Sequence, residues 1–439
     1  MKTIFFIIRN PHRINAVLRT DLFKILKAKN YRIVIVSEFG GDKNFVEEFK
    51  GPNIFFEPLI EMGRISQMLS FWREQAFQSK HPDIQFAIMT HSGITKGIKD
   101  TKTILTRVKV LIRKIILSIL PHNEGFWDWL ENIFISAQCA EDLIATYHPN
   151  AVLVTTAGNE KAFLLACKKY GILSINIDSN IDAPQLRYFS KPRETSKWAV
   201  FGESLKQEFI RLHNIPKNQL TVTGALRYDY FFKEFKPKSR EEFLKQIHAD
   251  PSKKLITYAA KVSTMYPYND VIIKEILTAI EKGELVDAQL FVRFDPGHDI
   301  KQYGKLLDSV LWEQADLGGD YEHVANLLYH SDVTTSIAST FNCESAIFDT
   351  PSIWIGFDGY DKESRITHRH HELKVFADII DMNAVRFAES PTELIKLLKG
   401  YLLNPAQDRA ARSNMLEQYY YKKDGKTGER IVHFIETHV

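Results

Sequence analysis

Two hydroxyl side chains and a carboxylate stand close together in the sequence at Ser339, Thr340 and Glu344. A serine or threonine at the start of a helix can cap it, and the free N–H groups and positive dipole end there favour a phosphate. A carboxylate on the first turns of that helix can accept hydrogen bonds from hydroxyls beside the phosphate. A nucleotide-activated sugar offers both groups, a pyrophosphate and a ribose diol. The same residues also fit an ordinary capped helix with a solvated glutamate.

The elements that position these residues are predicted from the stretch Tyr329–Trp354. The short β-branched run Asp332–Ser336 is typical of a buried strand in a parallel sheet. The small-residue turn Ile337–Thr340 leads into a helix, and Pro351–Trp354 is the next strand. This order places the hydroxyls at the carboxyl end of a strand, where open α/β sheets bind ligands.

The pattern S-T-x-x-x-E-S-A at 339–346, followed by Pro-Ser-Ile at 351–353, resembles the donor-binding segment of GT-B glycosyltransferases. It looks closest to surface-carbohydrate enzymes, the CDP-glycerol glycerophosphotransferases and the UDP-N-acetylglucosamine 2-epimerases. Two further segments are similar to the same relatives, T-G-x-x-R-x-D at 223–229 and Y-x-x-D-G-x-x-x-E-R at 421–430. The resemblance implies a donor held by the second of two domains and final helices that cross back to the first.

Three basic residues, Arg227, Lys261 and Arg293, are placed near the donor by this resemblance. Arg227 lies near the crossover between the domains, where it meets phosphate or, in a competing interpretation, pairs with Asp229 to pin a hinge. Lys261 follows the first strand of the second domain, and Arg293 ends the next strand. The relatives carry an R-x-H-P-like turn after this arginine. This chain has Asp295 where the histidine is expected, so that role is not carried over.

Candidate proton acceptors follow predicted strands in the first half of the chain. His12 comes after the first strand, Glu160 after a later one, and Asp178 and Asp182 after the next. Loops that leave the carboxyl ends of parallel strands share one edge of the sheet, so His12, Glu160 or Asp182 could supply a catalytic base. Each residue alone is also explained as a surface, cap or turn residue.

Strand and helix patterns alternate along the chain, and a charged stretch with two prolines at Phe232–Ser252 is the predicted linker. The G-x-G-x-x-G fingerprint of a dinucleotide site is missing. We therefore predict an α/β protein of the GT-B class, with two Rossmann-like domains facing across a cleft. They occupy 1–232, which binds the acceptor, and 233–415, which binds the donor. A C-terminal helix at 416–439 returns to the first domain.

The charge of the chain is balanced, since 57 basic and 54 acidic residues leave a net charge of +3. This balance gives no argument for a nucleic-acid partner. Three scattered cysteines indicate a reducing compartment and neither a disulfide framework nor a zinc site. No D-x-D motif is present, so we expect no bound metal and no cofactor. Three histidines within Thr367–Glu372 make a metal site imaginable, but a mobile basic loop or a solvated loop fits as well.

No signal peptide or transmembrane run is recognisable, so we expect a cytoplasmic protein. The stretch 103–120 is very apolar, but Arg107, Lys109, Arg113 and Lys114 interrupt it. It could lie at the inner face of the membrane, with its basic residues at anionic head groups. It could instead pack on the domain with the long basic side chains turned outward. The spread of the charges around the helix favours packing.

Together these observations predict a metal-independent glycosyltransferase that uses a nucleotide-activated sugar to build a surface polysaccharide or glycolipid. The acceptor would be a glycan or a lipid-linked molecule. The helix start at Ser339 would stabilise the departing phosphate, and Glu344 would hold the ribose. A sugar-nucleotide 2-epimerase and a phospho-polyol transferase of the glycerophosphate type are alternatives on the same fold. A catalytically idle scaffold that binds glycan or protein is a third class.

Overall fold

A computed structural model describes residues 1–9, 13–60, 63–80, 112, 115, 116, 118, 119, 123–155, 160–178, 180–186, 196–263, 265–315, 321–362, 364, 367, 371 and 373–439. These residues divide into two compact units. The first contains the described residues up to Lys233 together with Gln418–Val439, and the second contains Glu234–Glu417. Each unit is built on one parallel sheet.

The sheet of the first unit has the strand order β3–β2–β1–β4–β5–β6–β7, and all its neighbours are parallel. The strands are β1 Thr3–Ile8, β2 Arg32–Ser37, β3 Ile54–Pro58, β4 Ala151–Thr155, β5 Leu173–Ile177, β6 Ser196–Val200 and β7 Leu220–Val222. Strand β1 is buried along its whole length, which explains its unbroken apolar sequence. The chain reverses its direction of winding between β1 and β4, and ligands bind at such switch points.

Helices flank this sheet, and one of them differs from its prediction. They are α1 Asp21–Ala28, α2 Lys43–Phe49, α3 Arg64–Lys80, α4 Glu124–Phe134, α5 Gln138–Tyr147, α6 Lys161–Tyr170, α7 Ala183–Leu186, α8 Glu203–His213 and α9 Asp229–Lys233, with 3-10 turns at Lys217–Gln219 and Leu226–Tyr228. The helical spacing of the sequence over Ile14–Lys27 predicts a single helix, which is wrong, because a π-helical turn at Ile14–Leu18 precedes α1. Thr20 is extended, and its hydroxyl donates to the Val17 carbonyl at 2.6 Å, which interrupts the helix.

The second unit has the order β10–β9–β8–β11–β12–β13, again all parallel. Its strands are β8 Lys254–Ala260, β9 Ala288–Phe294, β10 Leu311–Gln314, β11 Val333–Ser336, β12 Ser352–Ile355 and β13 Arg386–Ala388. Its helices are α10 Arg240–Gln246, α11 Asn269–Glu281, α12 Tyr321–His330, α13 Thr340–Ser345, α14 Lys374–Asp381 and α15 Pro391–Leu403, with 3-10 segments at Ile300–Ser309 and Ala346–Phe348. The switch point lies between β8 and β11. Both units are therefore Rossmann-like, and the predicted α/β class is confirmed.

The predicted linker Phe232–Ser252 contains helix α10. Ser239 caps this helix by accepting the Glu242 N–H at 3.2 Å, and Phe243 and Leu244 are fully buried beneath it. The edge strands β10 and β13 are also absent from the prediction, because one is half exposed and polar and the other has three residues. None of the described helices in either unit combines the length and apolar content that a bilayer crossing needs.

The C-terminal segment is held in the first unit by polar contacts. Helix α16 spans Arg409–Tyr420, and α17 spans Thr427–Glu436. The Gly428 N–H donates to Asp229 Oδ2 at 2.8 Å, and Arg430 Nε donates to the Thr223 carbonyl at 2.5 Å. Arg430 also pairs with Asp424 at 2.9 Å. The segments 223–229 and 421–430 therefore bind each other, and the final helix returns to the first unit as the resemblance implied.

Candidate functional site

The turn between β11 and α13 lies at the carboxyl edge of the second sheet, beside its switch point. Ser339 caps α13, since its Oγ accepts the Phe341 N–H at 3.2 Å. Its carbonyl accepts the Asn342 N–H at 3.3 Å and the indole N–H of Trp354 at 3.2 Å. The predicted cap is confirmed, and Thr340 is the first helical residue. Because the first N–H groups of a helix have no partner within it, this turn presents donors at the sheet edge.

Buried polar side chains of Thr334, Ser336, Asn342, Ser345 and Ser352 hold α13 against β11 and β12. Ser336 Oγ donates to Asn342 Oδ1. Thr334 Oγ1 lies 3.0 Å from Ser345 Oγ and 2.7 Å from Ser352 Oγ. The Asn342 carbonyl accepts both serine hydroxyls, at 2.7 and 3.1 Å. Such a network fixes one geometry, because any broken bond leaves a buried polar group unpaired. The helix start is therefore held in register with the sheet.

The residue before the cap, Ala338, has φ of 37°. Residues other than glycine, asparagine and aspartate rarely adopt this left-handed conformation, which costs on the order of 1–3 kcal/mol. Ala338 and its neighbour Ile337 are both buried, so the surrounding packing holds the strained turn in place. Strain of this kind collects at ligand-binding turns, which supports a binding role for this one.

Glu344 lies on α13 four residues after Thr340, so the two side chains share one face of the helix. Glu344 is only 6% exposed. The helix start and the carboxylate are thus together on one face, which is the arrangement that the predicted ribose contact requires.

The loop after β8 lies on the other side of the switch point and carries the half-buried Lys261. Asn269 Nδ2 donates to the carbonyls of Lys261 and Tyr266, each at 2.8 Å. Its Oδ1 accepts the hydroxyl of Tyr258 at 2.7 Å. Tyr266 in turn donates its hydroxyl to the Phe357 carbonyl at 2.9 Å. These bonds fix the backbone of the loop and with it the starting point of the lysine side chain.

A buried histidine that the sequence pattern does not single out, His298, braces this loop from the β9 side. Its Nε2 lies 3.0 Å from Ser263 Oγ and 2.7 Å from Tyr303 Oη. Burial lowers the pKa of His298 against the opposing charges of Asp295 and Asp299. The imidazole is therefore neutral at neutral pH and links the loops after β8 and β9 by hydrogen bonds.

This histidine makes the second unit sensitive to acid. The pKa of His298 is lower in the folded protein than the value of about 6.5 in the unfolded chain. Its contribution to the stability of the folded protein is therefore complete above about pH 6.5 and is lost as the pH falls below that value. We expect the Tm of the second unit to decrease between about pH 7.5 and pH 5.5. His298→Gln should reduce that dependence without removing it, because burial also lowers the pKa of His330.

The matched control is His433→Gln, because His433 is exposed on α17 in the first unit. Thermal melts across the pH series should give the same slope for this variant as for the unchanged protein. If the Tm of His298→Gln depended on pH as steeply as that of the unchanged protein, His298 would not be a source of the acid sensitivity.

Arg293 is the penultimate residue of β9, and its Nη1 pairs with Glu313 of β10. The other oxygen of Glu313 lies 2.7 Å from His323 Nε2. Burial alone would raise the pKa of Glu313, but the hydrogen bond from His323 and the charge of Arg293 hold it below its ordinary value. The side chain of Arg293 is 13% exposed, and its guanidinium is thus engaged by a carboxylate. The predicted phosphate contact of Arg293 would compete with this ion pair.

Arg227 follows β7 in the first unit, and its guanidinium carbon lies 4.8 Å from the centre of the Tyr228 ring. The neighbouring Asp229 accepts the Gly428 N–H, and burial raises the pKa of this carboxyl. The aspartate therefore anchors the C-terminal helix. Both interpretations of Arg227, phosphate contact and hinge, stay predictions.

The predicted bases belong to the carboxyl edge of the first sheet. His12 lies outside the described residues. Glu160, the residue that precedes α6, is 4% exposed, and Asp178, after β5, is 3% exposed. Asp182 is half-buried two residues after Asn180, whose N–H approaches Asp178 Oδ1 at 3.5 Å. Strands β4 and β5 are neighbours, so these carboxylates follow adjacent strands at one edge.

An ionic cluster lies next to this edge and was not predicted. Arg73 of α3 donates to Glu131 and, at 2.8 Å, to Asp128 of α4. Lys161 of α6 donates to the other oxygen of Glu131. Burial lowers the pKa of Lys161, although the charge of Glu131 opposes this. The cluster ties α3, α4 and α6 together.

No family model matches the chain, and no curated protein sequence matches it. Solved structures are similar to it. A UDP-GlcNAc 2-epimerase from Neisseria meningitidis bound to UDP-GlcNAc has a TM-score of 0.54 at 13% identity, over 99% of this chain and 100% of its own. A glycosyltransferase from Rickettsia africae gives 0.53 at 11%, over 100% and 98%. The wall teichoic acid polymerase TagF gives 0.50 at 12%, over 99% and 88%.

The chain has the GT-B fold. At identities this low the likeness concerns the fold and not the substrate. Within this GT-B fold, Lys261 and the pair Ser339 and Thr340 follow the two strands that flank the second switch point. Glu160 follows one of the strands that flank the first.

Two other predicted site residues belong to strands one place away from the switch points: Arg293 lies in β9, and Asp182 follows β5. The sequence analysis missed His298, Tyr303 and Asn342. The turn Pro296–Gly297 could have indicated a returning chain at His298, whereas nothing local marks Asn342 as buried.

Proposed function

We propose that the protein is a glycosyltransferase that uses a nucleotide-activated sugar to build a surface polysaccharide or glycolipid. One observation carries the proposal. A strained, capped turn at Ala338–Thr340 lies at the second switch point, with the buried Glu344 on the face of the helix that begins there. A phosphate binds at such a helix start, and a carboxylate suits the sugar hydroxyls beside it.

In this proposal the second unit holds the donor. The N–H groups at Ser339 and Thr340 donate hydrogen bonds to the leaving phosphate and stabilise the negative charge that develops on it, and Glu344 holds the ribose diol. The amine of Lys261 adds positive charge from the loop after β8. A hydroxyl of the acceptor attacks the anomeric carbon, the bond to the phosphate breaks, and the nucleotide leaves.

The first unit takes the acceptor in this proposal, and one of His12, Glu160 and Asp182 removes the proton of the attacking hydroxyl. A base is required only if the configuration inverts. Arg227 adds charge at the phosphates. If the acceptor is lipid-linked, the transfer takes place at the inner face of a membrane.

A 2-epimerase is the second candidate, because a similar fold binds UDP-GlcNAc in the Neisseria enzyme. It would act on a single substrate and need no acceptor. A phospho-polyol transferase is a further candidate, because TagF has a similar fold. Incubation with nucleotide sugars in the absence of acceptor tests the epimerase: an epimer indicates the epimerase, and an unchanged nucleotide sugar counts against it.

A thermal-shift screen tests the proposal. UDP, CDP, GDP, CMP and their sugars are added one at a time. Nucleotides with one particular nucleobase should raise the Tm by several degrees, since a ligand at about 100 times its Kd stabilises the folded state by about 2.7 kcal/mol. A protein that shifts with none of them would be a scaffold, and the proposal would fail.

A further inference from the structure

Large apolar side chains are exposed in one part of the chain. Ten of the nineteen such side chains among the described residues lie between Ile60 and Phe134. Scattered exposed apolar residues are normal, but a concentration of them marks a surface that binds something. This surface belongs to the first unit and has no part in the proposed donor site.

Helices α3 and α4 form a hairpin that carries most of this surface. Ser66 Oγ donates to the Phe134 carbonyl at 3.0 Å, so the start of α3 lies at the end of α4. Arg73 reaches Asp128 at 2.8 Å further along. The side chains exposed on this hairpin, which we call the apolar face, are Ile65, Met68, Phe71, Trp129, Ile133 and Phe134.

Most of the charged side chains described on the hairpin pair with one another. Two carboxylates of α4, Asp128 and Glu131, bind Arg73, and Glu131 also binds Lys161. The side chains of Asp128 and Glu131 are only 23% and 5% exposed, so they contribute little negative charge to the apolar face. Arg64, at the first residue of α3, is exposed, and Glu74 of the same helix is half-buried.

A second apolar stripe precedes α4. Ile112, Ile115 and Ile119 are spaced as on one face of a helix and are 50%, 49% and 74% exposed. The remainder of the stretch 103–120, for which the sequence favours packing on the domain, lies outside the described residues. In the sequence, residues 101–123 contain five lysines and arginines and neither aspartate nor glutamate. Exposed apolar residues with basic neighbours are typical of segments that lie on anionic membranes.

A cavity adjoins the apolar face. Its volume is about 510 Å³, and Ile65 and Phe134 belong both to its lining and to the face. Further lining is supplied by Leu59, Ala140, Leu143 and Phe163, and Arg64 also borders it. A cavity of this size and lining suits a hydrocarbon chain, with a cation near its border for a phosphate.

We propose that the apolar face binds the surface of an anionic lipid bilayer, with one hydrocarbon chain entering the adjoining cavity. Burying the exposed apolar side chains in the interface of the bilayer provides the binding energy. Arg64 and the five lysines and arginines of 101–123 favour anionic head groups. Trp129 suits this position, because tryptophan is enriched at membrane interfaces. A lipid-linked acceptor would then be met at the membrane, a consequence that rests on the proposed glycosyltransferase activity.

Vesicle flotation tests the proposal with the full chain. The protein should float with vesicles of phosphatidylcholine and phosphatidylglycerol, float less with phosphatidylcholine alone, and dissociate as salt is added. The triple variant Met68→Gln, Phe71→Gln, Ile133→Gln should bind the anionic vesicles at least about tenfold more weakly than the unchanged protein. The matched control is Val286→Gln with Leu403→Gln, since both residues are exposed, at 66% and 77%, in the second unit.

Tryptophan fluorescence gives an independent signal. Anionic vesicles should shift the emission of the protein to shorter wavelength, and Trp129→Phe should remove most of the shift. No flotation of the unchanged protein, or equal flotation with both vesicle types, would overturn the proposal. A dimer in sedimentation that becomes a monomer in the triple variant, without vesicle binding, would overturn it in favour of a second copy of the chain. The nucleotide-induced Tm shift of the triple variant should equal that of the unchanged protein, so this test and the test of the proposed function can fail separately.

Discussion

Replacing Glu344 with alanine is expected to weaken nucleotide binding by about 10- to 100-fold, because a hydrogen bond to a charged group contributes about 1.5–3 kcal/mol. The side chain shares one helix face with Thr340 at the capped turn, so its loss removes the proposed ribose contact. Isothermal titration with the nucleotide that gives the largest Tm shift measures the effect. Glu344→Gln should bind with intermediate affinity, since the amide retains an acceptor but not the charge.

Glu281→Ala is the matched control for this prediction. Glu281 is the last residue of α11 in the same unit and is exposed. Its replacement should leave the affinity unchanged. Equal affinities for Glu344→Ala and the unchanged protein would remove the carboxylate from the proposed site.

The second large effect is expected from Gly202→Ala, which should lower the free energy of unfolding by about 3 kcal/mol. Gly202 precedes α8, and a Cβ built there would lie 2.3 Å from the Gln418 carbonyl oxygen and 2.8 Å from the Tyr419 carbonyl carbon. Both are backbone atoms, so the C-terminal segment would have to move off the first unit. Urea unfolding followed by circular dichroism gives the change in free energy.

Gly41→Ala serves as the control, because a Cβ at that position would meet nothing within 4 Å. That variant should stay within about 0.5 kcal/mol of the unchanged protein. A Gly202→Ala protein of undiminished stability would show that the C-terminal segment is not packed as described.

The features that the sequence predicts correctly are those encoded locally. The cap at Ser339 follows from a small-residue turn between a β-branched strand and a helix, all within a few residues. The two sheets follow from alternating apolar strands and helices. The return of the C-terminal helix was predicted only from the resemblance, and its cause is the pairing of Arg430 with Thr223 across about half the chain.

The features that the sequence does not predict depend on which faces meet in space. Asn342 reads as an ordinary helical residue, yet it is buried between two strands because Ser336 and Ser345 complete its hydrogen bonds. His298 reads as a loop residue, and only the fold brings Ser263 and Tyr303 to its ring. The strand Leu311–Gln314 was missed because an edge strand with one exposed side has no continuous apolar run.

The most direct measurement is a crystal structure of the protein with the nucleotide sugar that gives the largest Tm shift. The account predicts the diphosphate within hydrogen-bonding distance of the N–H groups at Ser339 and Thr340, with the ribose hydroxyls on Glu344. A nucleotide bound elsewhere in the chain, with this turn unoccupied, would contradict it.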